Sequence, residues 1–146
     1  LVDAGAGGKD GARRVRDVWE QVGRPTLKAL VLTHAHPDHC LGAPDIMEEL
    51  GPLPVWAHPL EKERLARYVP SLSIQRPLHD GDKLQVGAMK LTVLHTPGHA
   101  EGHLCFWWER YGVLLAGSVL IITPVLILFV ALQLYFIQGI VMTGIK

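Results

Sequence analysis

Hydrophobic and polar residues form two different patterns in the first part of the chain, and each pattern predicts one kind of element. Residues 11–22 carry apolar side chains at helical spacing, which predicts an amphipathic helix that Gly23 and Pro25 bring to an end. The apolar positions of this helix are Val15, Val18, Trp19 and Val22. Residues 27–33, LKALVLT, are instead almost continuously apolar, as expected for a central strand that is covered on both faces.

The rest of the pattern predicts further short helices and strands, with a polar loop over residues 69–82. Helices are predicted at 44–50 and 59–68, and strands at 1–5, 53–57, 103–109 and 112–117, with two more in 83–96 around a Gly87-Ala88 turn. Helices and strands first alternate, and strands then follow one another directly. This order indicates a mixed α/β fold with an antiparallel part.

From Val119 onward the pattern changes to a nearly unbroken apolar run, within an uncharged stretch over residues 111–145. Thr123 and Pro124 predict a helix start and Gly139 predicts its end. Residues 119–137 provide 19 uncharged positions, close to the about 20 that span a bilayer. A membrane-type helix and a very apolar core helix both fit this pattern, and the first would associate residues 119–137 with a membrane.

Charge and cysteine content restrict the partners and the cellular compartment that we expect. The chain has 14 basic and 14 acidic residues, a balance that gives no electrostatic footprint for nucleic acid. Cys40 and Cys105 form no disulfide framework, and we expect reduced thiols in the cytoplasm for residues 1–118. The chain opens with Leu-Val-Asp rather than Met, which suggests a fragment.

The stretch LTHAHPDHCLG, residues 32–42, concentrates metal-ligand chemistry directly after the predicted central strand. His34 and His36 are two positions apart, so in extended backbone they project to the same side. Pro37 turns the chain, so Asp38 and His39 can point to a neighbouring position. One loop could therefore supply two adjacent metal ions, which together could activate a water molecule for hydrolysis.

A further ligand must come from elsewhere in the chain, and LHTPGHAEGH offers three more histidines. Thr96-Pro97-Gly98 excludes a helix there, so the spacing of four residues does not place them on one face. His99 follows a Pro-Gly turn and is the best candidate. Structural roles are expected for the other histidines and for the cysteine beside the loop, namely His58, His79, His95, His103 and Cys40.

Three segments resemble the metallo-β-lactamase superfamily. THAHPDH matches its HxHxDH signature, LVDAG resembles the strand with its Asp-x-Gly, and TPGHAEGH resembles its TPGHTxG segment. They occur in the family's order and cover about residues 1–118. The sequence is most similar to the glyoxalase II-like and β-lactamase-like-protein-2 hydrolases.

The resemblance implies a partial αββα sandwich, truncated at both ends, and a role for each matching residue. His34, His36 and His99 would bind a first metal, Asp38 and His39 a second, and Asp3 would lie beside the metals without binding them. Zinc is expected, as one or two ions, although iron and manganese suit such ligands too. A metal-bound hydroxide would attack a small ester, thioester, amide or phosphodiester, with Asp38 taking part in catalysis.

Two departures from the family pattern indicate an impaired enzyme. Ser118 stands where the family has an aspartate that bridges both metals, and residues 119–146 lack the family's last histidine. This tail resembles the C-terminus of sugar-type ABC transporter permeases. We therefore divide the chain into a hydrolase domain, 1–118, and an apolar helix, 119–146. The alternative function is a membrane or transport fragment that carries a non-catalytic metal-binding passenger.

Overall fold

The computed structural model describes residues 1–108, 119–130 and 132–133, and the chain divides into two compact units, Leu1–Trp107 and Trp108–Lys146. The helices of the first unit are α1 (Lys9–Gln21), α2 (Pro37–Cys40), α3 (Ala43–Leu50) and α4 (Lys62–Tyr68), and a 3₁₀ turn, Pro59–Glu61, leads into α4. The strands are β1 (Leu30–Val31), β2 (Val55–Ala57), β3 (Ile74–Pro77), β4 (Lys83–Val86), β5 (Met89–His95) and β6 (Leu104–Trp108).

The first sheet is parallel, in the order β1-β2-β3. Leu30 pairs with Val55, and Val55 in turn pairs with Ile74. Segments of 23 or fewer residues connect these strands, and α2, α3 and α4 lie within them, as parallel pairing requires a crossover between strands. The predicted first strand, residues 1–5, is reduced to a single parallel bridge between Val2 and Val31.

The second sheet has the order β4-β5-β6. β4 and β5 form an antiparallel hairpin in which Val86 pairs with Met89 across the predicted Gly87-Ala88 turn. Gly87 has a φ of 59°, a conformation that glycine adopts without steric cost. The two strands predicted within 83–96 and their turn are therefore confirmed.

Alternate residues of β1 and its flanks belong to two different hydrophobic clusters. Leu30 and Leu32 pack with residues of the helices, whereas Ala29 and Val31 pack with residues of the second sheet. The helical cluster includes Cys40, Ala43, Leu65 and Val69, and the other cluster includes Leu84, Val93 and Leu104. The first sheet thus lies between helices and the second sheet, which confirms a mixed α/β fold. The strand predicted over 27–33 is covered on both faces, but it is limited to Leu30–Val31 and stands at one end of the order β1-β2-β3.

Two short elements were not predicted. β3 lies in the segment that was interpreted as a polar loop, and three of its four residues are exposed. α2 is a single turn inside the histidine loop. In α1, which the pattern did predict, Val18 remains exposed, as does Val22 directly after the helix, and the buried residue is Ala12.

In the second unit, residues 119–130 and 132–133 are helical. The predicted helix start at Thr123 is wrong, because the helix already includes residue 119 and the Thr123 hydroxyl donates to the Val119 carbonyl at 2.6 Å. Within the described residues, no helix combines the length and apolarity needed to cross a membrane, so the structure does not support the predicted span. The predicted strand 112–117, Ser118 and residues 134–137 lie outside the described residues.

Candidate metal centre

The histidine loop leaves β1 at its carboxyl end, where open α/β sheets commonly place their ligand sites. His36 is in an extended conformation at the N-cap of α2, and Pro37 occupies the first turn of that helix. Pro37 suits this position because its missing N–H would have no intrahelical partner there. His34 and His36 thus precede the helical turn, and Asp38 and His39 lie within it. The rings of His34 and His39 are nevertheless close, with their centroids 4.0 Å apart.

Three of the predicted ligands come together at this end of the sheet. His34, His36 and His99 each offer a ligand atom, and these atoms all lie within 4.8 Å of one another. His36 Nδ1 and His99 Nε2 are 3.0 Å apart, although the two residues are 63 positions apart in sequence. Exposure increases across the group, since His34 is 2% exposed, His36 is half-buried and His99 is exposed. One side of the cluster therefore faces solvent.

His34 is held as a neutral ring with an unpaired lone pair. The Thr33 hydroxyl donates to Asp3 Oδ2 at 2.8 Å, so its oxygen accepts from His34 Nδ1, which is 3.0 Å away. The neutral tautomer then has its lone pair at Nε2, the one buried side-chain nitrogen or oxygen of the described residues that has no hydrogen-bond partner. Burial, followed by the charges of His39, His36, His103 and His99, lowers the pKa of His34 to about 4.

These features fit a bound metal ion. A buried polar atom without a partner is costly, and coordination of a cation would satisfy His34 Nε2. Three imidazole nitrogens form a donor set that zinc accepts, and it leaves a fourth position open. The same donor set also suits other divalent transition metals.

Asp3 orients His39, one member of the second pair of predicted ligands. Its carboxylate accepts hydrogen bonds from the backbone N–H of Thr33 at 2.7 Å and lies 2.9 Å from His39 Nδ1. A proton on His39 Nδ1 leaves the lone pair on Nε2, which lies 3.6 Å from Asp38 Oδ2. Asp38 and His39 thus present two ligand atoms next to each other, while Asp3 binds the far side of the ring. Ser118, which stands where the resemblance predicts an aspartate ligand, lies outside the described residues.

The other histidines occupy two different environments. His103 lies beside the centre, with its ring 5.1 Å from that of His34, and its Nδ1 is 2.8 Å from the Thr96 hydroxyl. His95 Nε2 hydrogen-bonds the Glu101 carbonyl, and its ring stacks on His58 at 4.2 Å. His79 lies against the same stack. Cys40 packs in the helical cluster, and burial raises the pKa of its thiol.

Two residues that support the centre were missed by sequence reasoning. Thr33 connects Asp3, His34 and His39 through one hydroxyl, and its position directly before the first histidine was the only available signal. Glu61 is fully buried and hydrogen-bonds the backbone of the histidine loop at Ala35. It lies 26 positions from that contact, and nothing in its local sequence indicates such a role.

Comparison with known proteins shows which family and which relatives this chain is similar to. A family model described as the metallo-beta-lactamase superfamily matches residues 1–132. An uncharacterized protein of Aquifex aeolicus is 32% identical over 131 residues, which cover 82% of this chain and 58% of that protein. The lactamase-like protein vrtG of Penicillium aethiopicum is 33% identical over 126 residues, covering 81% of this chain and 35% of that protein. The chain thus spans between about a third and three fifths of these relatives.

Solved structures resemble this chain as well. A class B3 di-zinc metallo-beta-lactamase from an Alaskan soil metagenome is 28% identical, with a TM-score of 0.60. The likeness covers 73% of this chain and 45% of that one. These comparisons do not support the glyoxalase II-like subtype or the resemblance of the tail to a permease.

Proposed function

The chain belongs to the metallo-beta-lactamase superfamily, and from that premise we propose that it is a metal-dependent hydrolase. The observation that carries the proposal is the convergence of His34, His36 and His99, with His34 Nε2 buried and unpaired. We propose that these three nitrogens hold one zinc ion. Bound zinc supplies Lewis acidity, which polarises a substrate carbonyl and lowers the pKa of water.

The chain's own residues keep the ligand atoms available. The low pKa of His34 keeps its ring neutral at neutral pH, so Nε2 is not occupied by a proton. The hydrogen bond between its Nδ1 and the Thr33 hydroxyl fixes the tautomer and the ring orientation. The Thr33 hydroxyl is itself fixed by Asp3, so one carboxylate orients both His34 and His39.

We further propose that Asp38 and His39 form one side of a second ion site. Asp38 is the candidate catalytic residue, because its side chain is 73% exposed and a carboxylate there can accept a proton from a reacting group. Two ligands alone would hold a second ion weakly, and Ser118 stands where the family resemblance expects an acid. We therefore expect tight binding of one ion, weak binding of a second and low turnover.

The proposed substrate is a small molecule with an ester, thioester or amide bond. The solved relative at 28% identity is named a di-zinc metallo-beta-lactamase, and a β-lactam is a cyclic amide. A relative at 33% identity is named lactamase-like. These names support the proposal of zinc as the metal and of an amide as one of the bonds that could be hydrolysed.

The test is a measurement of metal content together with hydrolysis of an aryl ester, a thioester and a β-lactam. After reconstitution with zinc, we expect about one tightly bound ion per chain and measurable hydrolysis of at least one substrate. His34→Ala should bind little zinc and lose at least about 100-fold in activity, since catalysis depends on the ion. His79→Ala, which changes an exposed histidine outside the centre, is the matched control and should behave as the wild type.

Ser118→Asp tests the second ion, because it restores a carboxylate at the expected position. We expect its zinc content to rise from about one toward two ions per chain, with a gain in turnover. The proposal is wrong if the wild type binds no zinc, or if His34→Ala retains wild-type zinc content and activity.

A further inference from the structure

Glu61 is an ionisable residue that is fully buried beside the metal centre but does not face it. Its carboxylate accepts hydrogen bonds from the backbone N–H of Ala35 at 2.9 Å and of Gly102 at 2.8 Å. Arg64 Nη1 donates to both oxygens, at 3.1 and 2.9 Å. Every partner is a donor, so the site requires a group that only accepts, as an ionised carboxylate does.

The two backbone partners belong to the two loops that carry the candidate zinc ligands. Ala35 lies between His34 and His36, and Gly102 lies three positions after His99. One buried side chain therefore binds both loops, one oxygen to each. The two loops are also joined close to the strands, by a backbone hydrogen bond from the Leu104 N–H to the Thr33 carbonyl at 2.8 Å.

The surroundings of Glu61 favour its charged form and a close fit. Burial alone would raise the pKa of Glu61, but the hydrogen bonds from Ala35, Gly102 and Arg64 outweigh burial and hold the pKa below its usual value. A Cβ added at Gly102 would lie 2.9 Å from Glu61 Cγ and 3.0 Å from Oε1. The absence of a side chain at Gly102 thus allows its backbone to approach the carboxylate.

We propose that Glu61 is a positioning residue that fixes the spacing between the His34–His36 segment and the loop of His99, and thereby sets the affinity for the ion. The inference rests on the proposed zinc site for its effect on affinity, whereas the spacing itself belongs to the metal-free protein. A buried ion pair alone is weak evidence for stability. The proposal depends instead on the two hydrogen bonds that this carboxylate accepts from the backbone of both ligand-bearing loops.

The test uses Glu61→Gln in the full chain, with Glu63→Gln as the matched control. Glu63 is an exposed residue in the first turn of α4, two positions after Glu61, so the control makes the same chemical change close by without touching the two loops. Gln keeps the shape of Glu but turns its amide N–H₂ toward N–H donors. We expect the zinc dissociation constant of Glu61→Gln, measured by competition with a chelator, to rise about 10-fold or more. Glu63→Gln should match the wild type.

A second measurement needs no metal. Amide hydrogen exchange should accelerate at Ala35 and Gly102 in metal-free Glu61→Gln, but not at Leu30 and Leu32, whose N–H groups bond the carbonyls of Pro54 and Trp56. General loss of stability would accelerate all four amides, so this comparison separates positioning from a merely structural role.

Gly102→Ala independently tests the contact between Gly102 and Glu61. Its methyl group would push against Glu61 and His58 Cβ while the charge of Glu61 is kept, and we expect a weaker zinc affinity. Wild-type zinc affinity and wild-type amide exchange in Glu61→Gln would overturn the inference. If the wild type binds no zinc, the proposed function fails, and exchange at Ala35 and Gly102 then decides the role of Glu61 by itself.

Discussion

At the scale of single residues, the centre depends on which nitrogen of each ring carries a proton. The Thr33 hydroxyl and the Asp3 carboxylate both act on Nδ1 atoms, of His34 and His39 respectively. Both rings therefore direct the lone pair of Nε2 away from this hydrogen-bonded network. An arrangement of this kind prepares nitrogen ligands before an ion arrives.

The pH dependence of stability should report the state of His34 in the metal-free protein. Its pKa is about 4 in the folded state, below the ordinary value of 6.5, so the unfolded chain binds more protons between these values. Its contribution to stability is therefore fully present above pH 6.5 and is lost as the pH falls toward 4. We expect a loss of roughly 2 kcal/mol by pH 5.

Urea unfolding at pH 7.5 and pH 5, with chelator present, measures this loss. His34→Gln should reduce the pH dependence by about the same roughly 2 kcal/mol, whereas His79→Gln, at an exposed site, should keep it. Equal pH dependence in wild type and His34→Gln would contradict the assignment.

At the scale of elements, the strongest sequence patterns were the most informative. α1 and α3 follow clear apolar spacing and were predicted close to their observed bounds. The charged helix predicted over 59–68 is present as α4, but its first three residues form the 3₁₀ turn Pro59–Glu61. β3 was missed because it is an edge strand with polar, exposed residues and a proline at its end. α2 was missed because a single turn after Pro37 has no periodicity to detect.

In the candidate centre, too, residues with a clear local pattern were predicted and residues without one were missed. The ligand candidates were predicted because histidine and aspartate side chains have few packing uses at such density, directly after a buried strand. Glu61 could not be predicted, because its role depends on backbone contacts 26 and 41 positions away. Local sequence thus shows which side chains can bind a metal. The contacts that hold their loops in place, such as those of Glu61, are known only from the fold.

A pair of glycine substitutions tests the packing between elements. Gly42 precedes α3, and a Cβ there would overlap the carbonyl oxygen of Ala4 and lie 3.2 Å from Gly7 N. Because these are backbone atoms, Gly42→Ala should lower the free energy of unfolding by about 1–3 kcal/mol. Gly11 is inside α1 with open space around it, so Gly11→Ala should raise that free energy by about 0.5–1 kcal/mol. Urea denaturation measures both, and a stabilising Gly42→Ala would refute the packing described.

At the scale of the whole described domain, the candidate centre joins parts of the chain that are distant in sequence. The histidine loop extends from the first sheet, and His99 lies between β5 and β6 of the second sheet. An ion bound by both would connect the two sheets at one edge. Because the unfolded chain does not hold these ligands together, metal binding should favour the folded state.

Thermal unfolding with and without zinc tests this coupling. At a free zinc concentration 100 times the dissociation constant, we expect a stabilisation of about 2.7 kcal/mol and a higher Tm. His99→Ala should lose this response while its metal-free Tm stays near that of the wild type, since His99 is exposed. A full zinc response in His99→Ala would exclude His99 as a ligand.

The two-sided packing of β1 also restricts how the chain can vary in length. An insertion or deletion of one residue between Ala29 and Leu30 would exchange the two faces of the strand that follows, turning Leu30 and Leu32 toward the second sheet and Val31 toward the helices. The histidine loop would shift with it, by one residue along the strand. Homologous chains should therefore tolerate length changes in the loop before Leu27, but keep the interval from Ala29 to His34 constant.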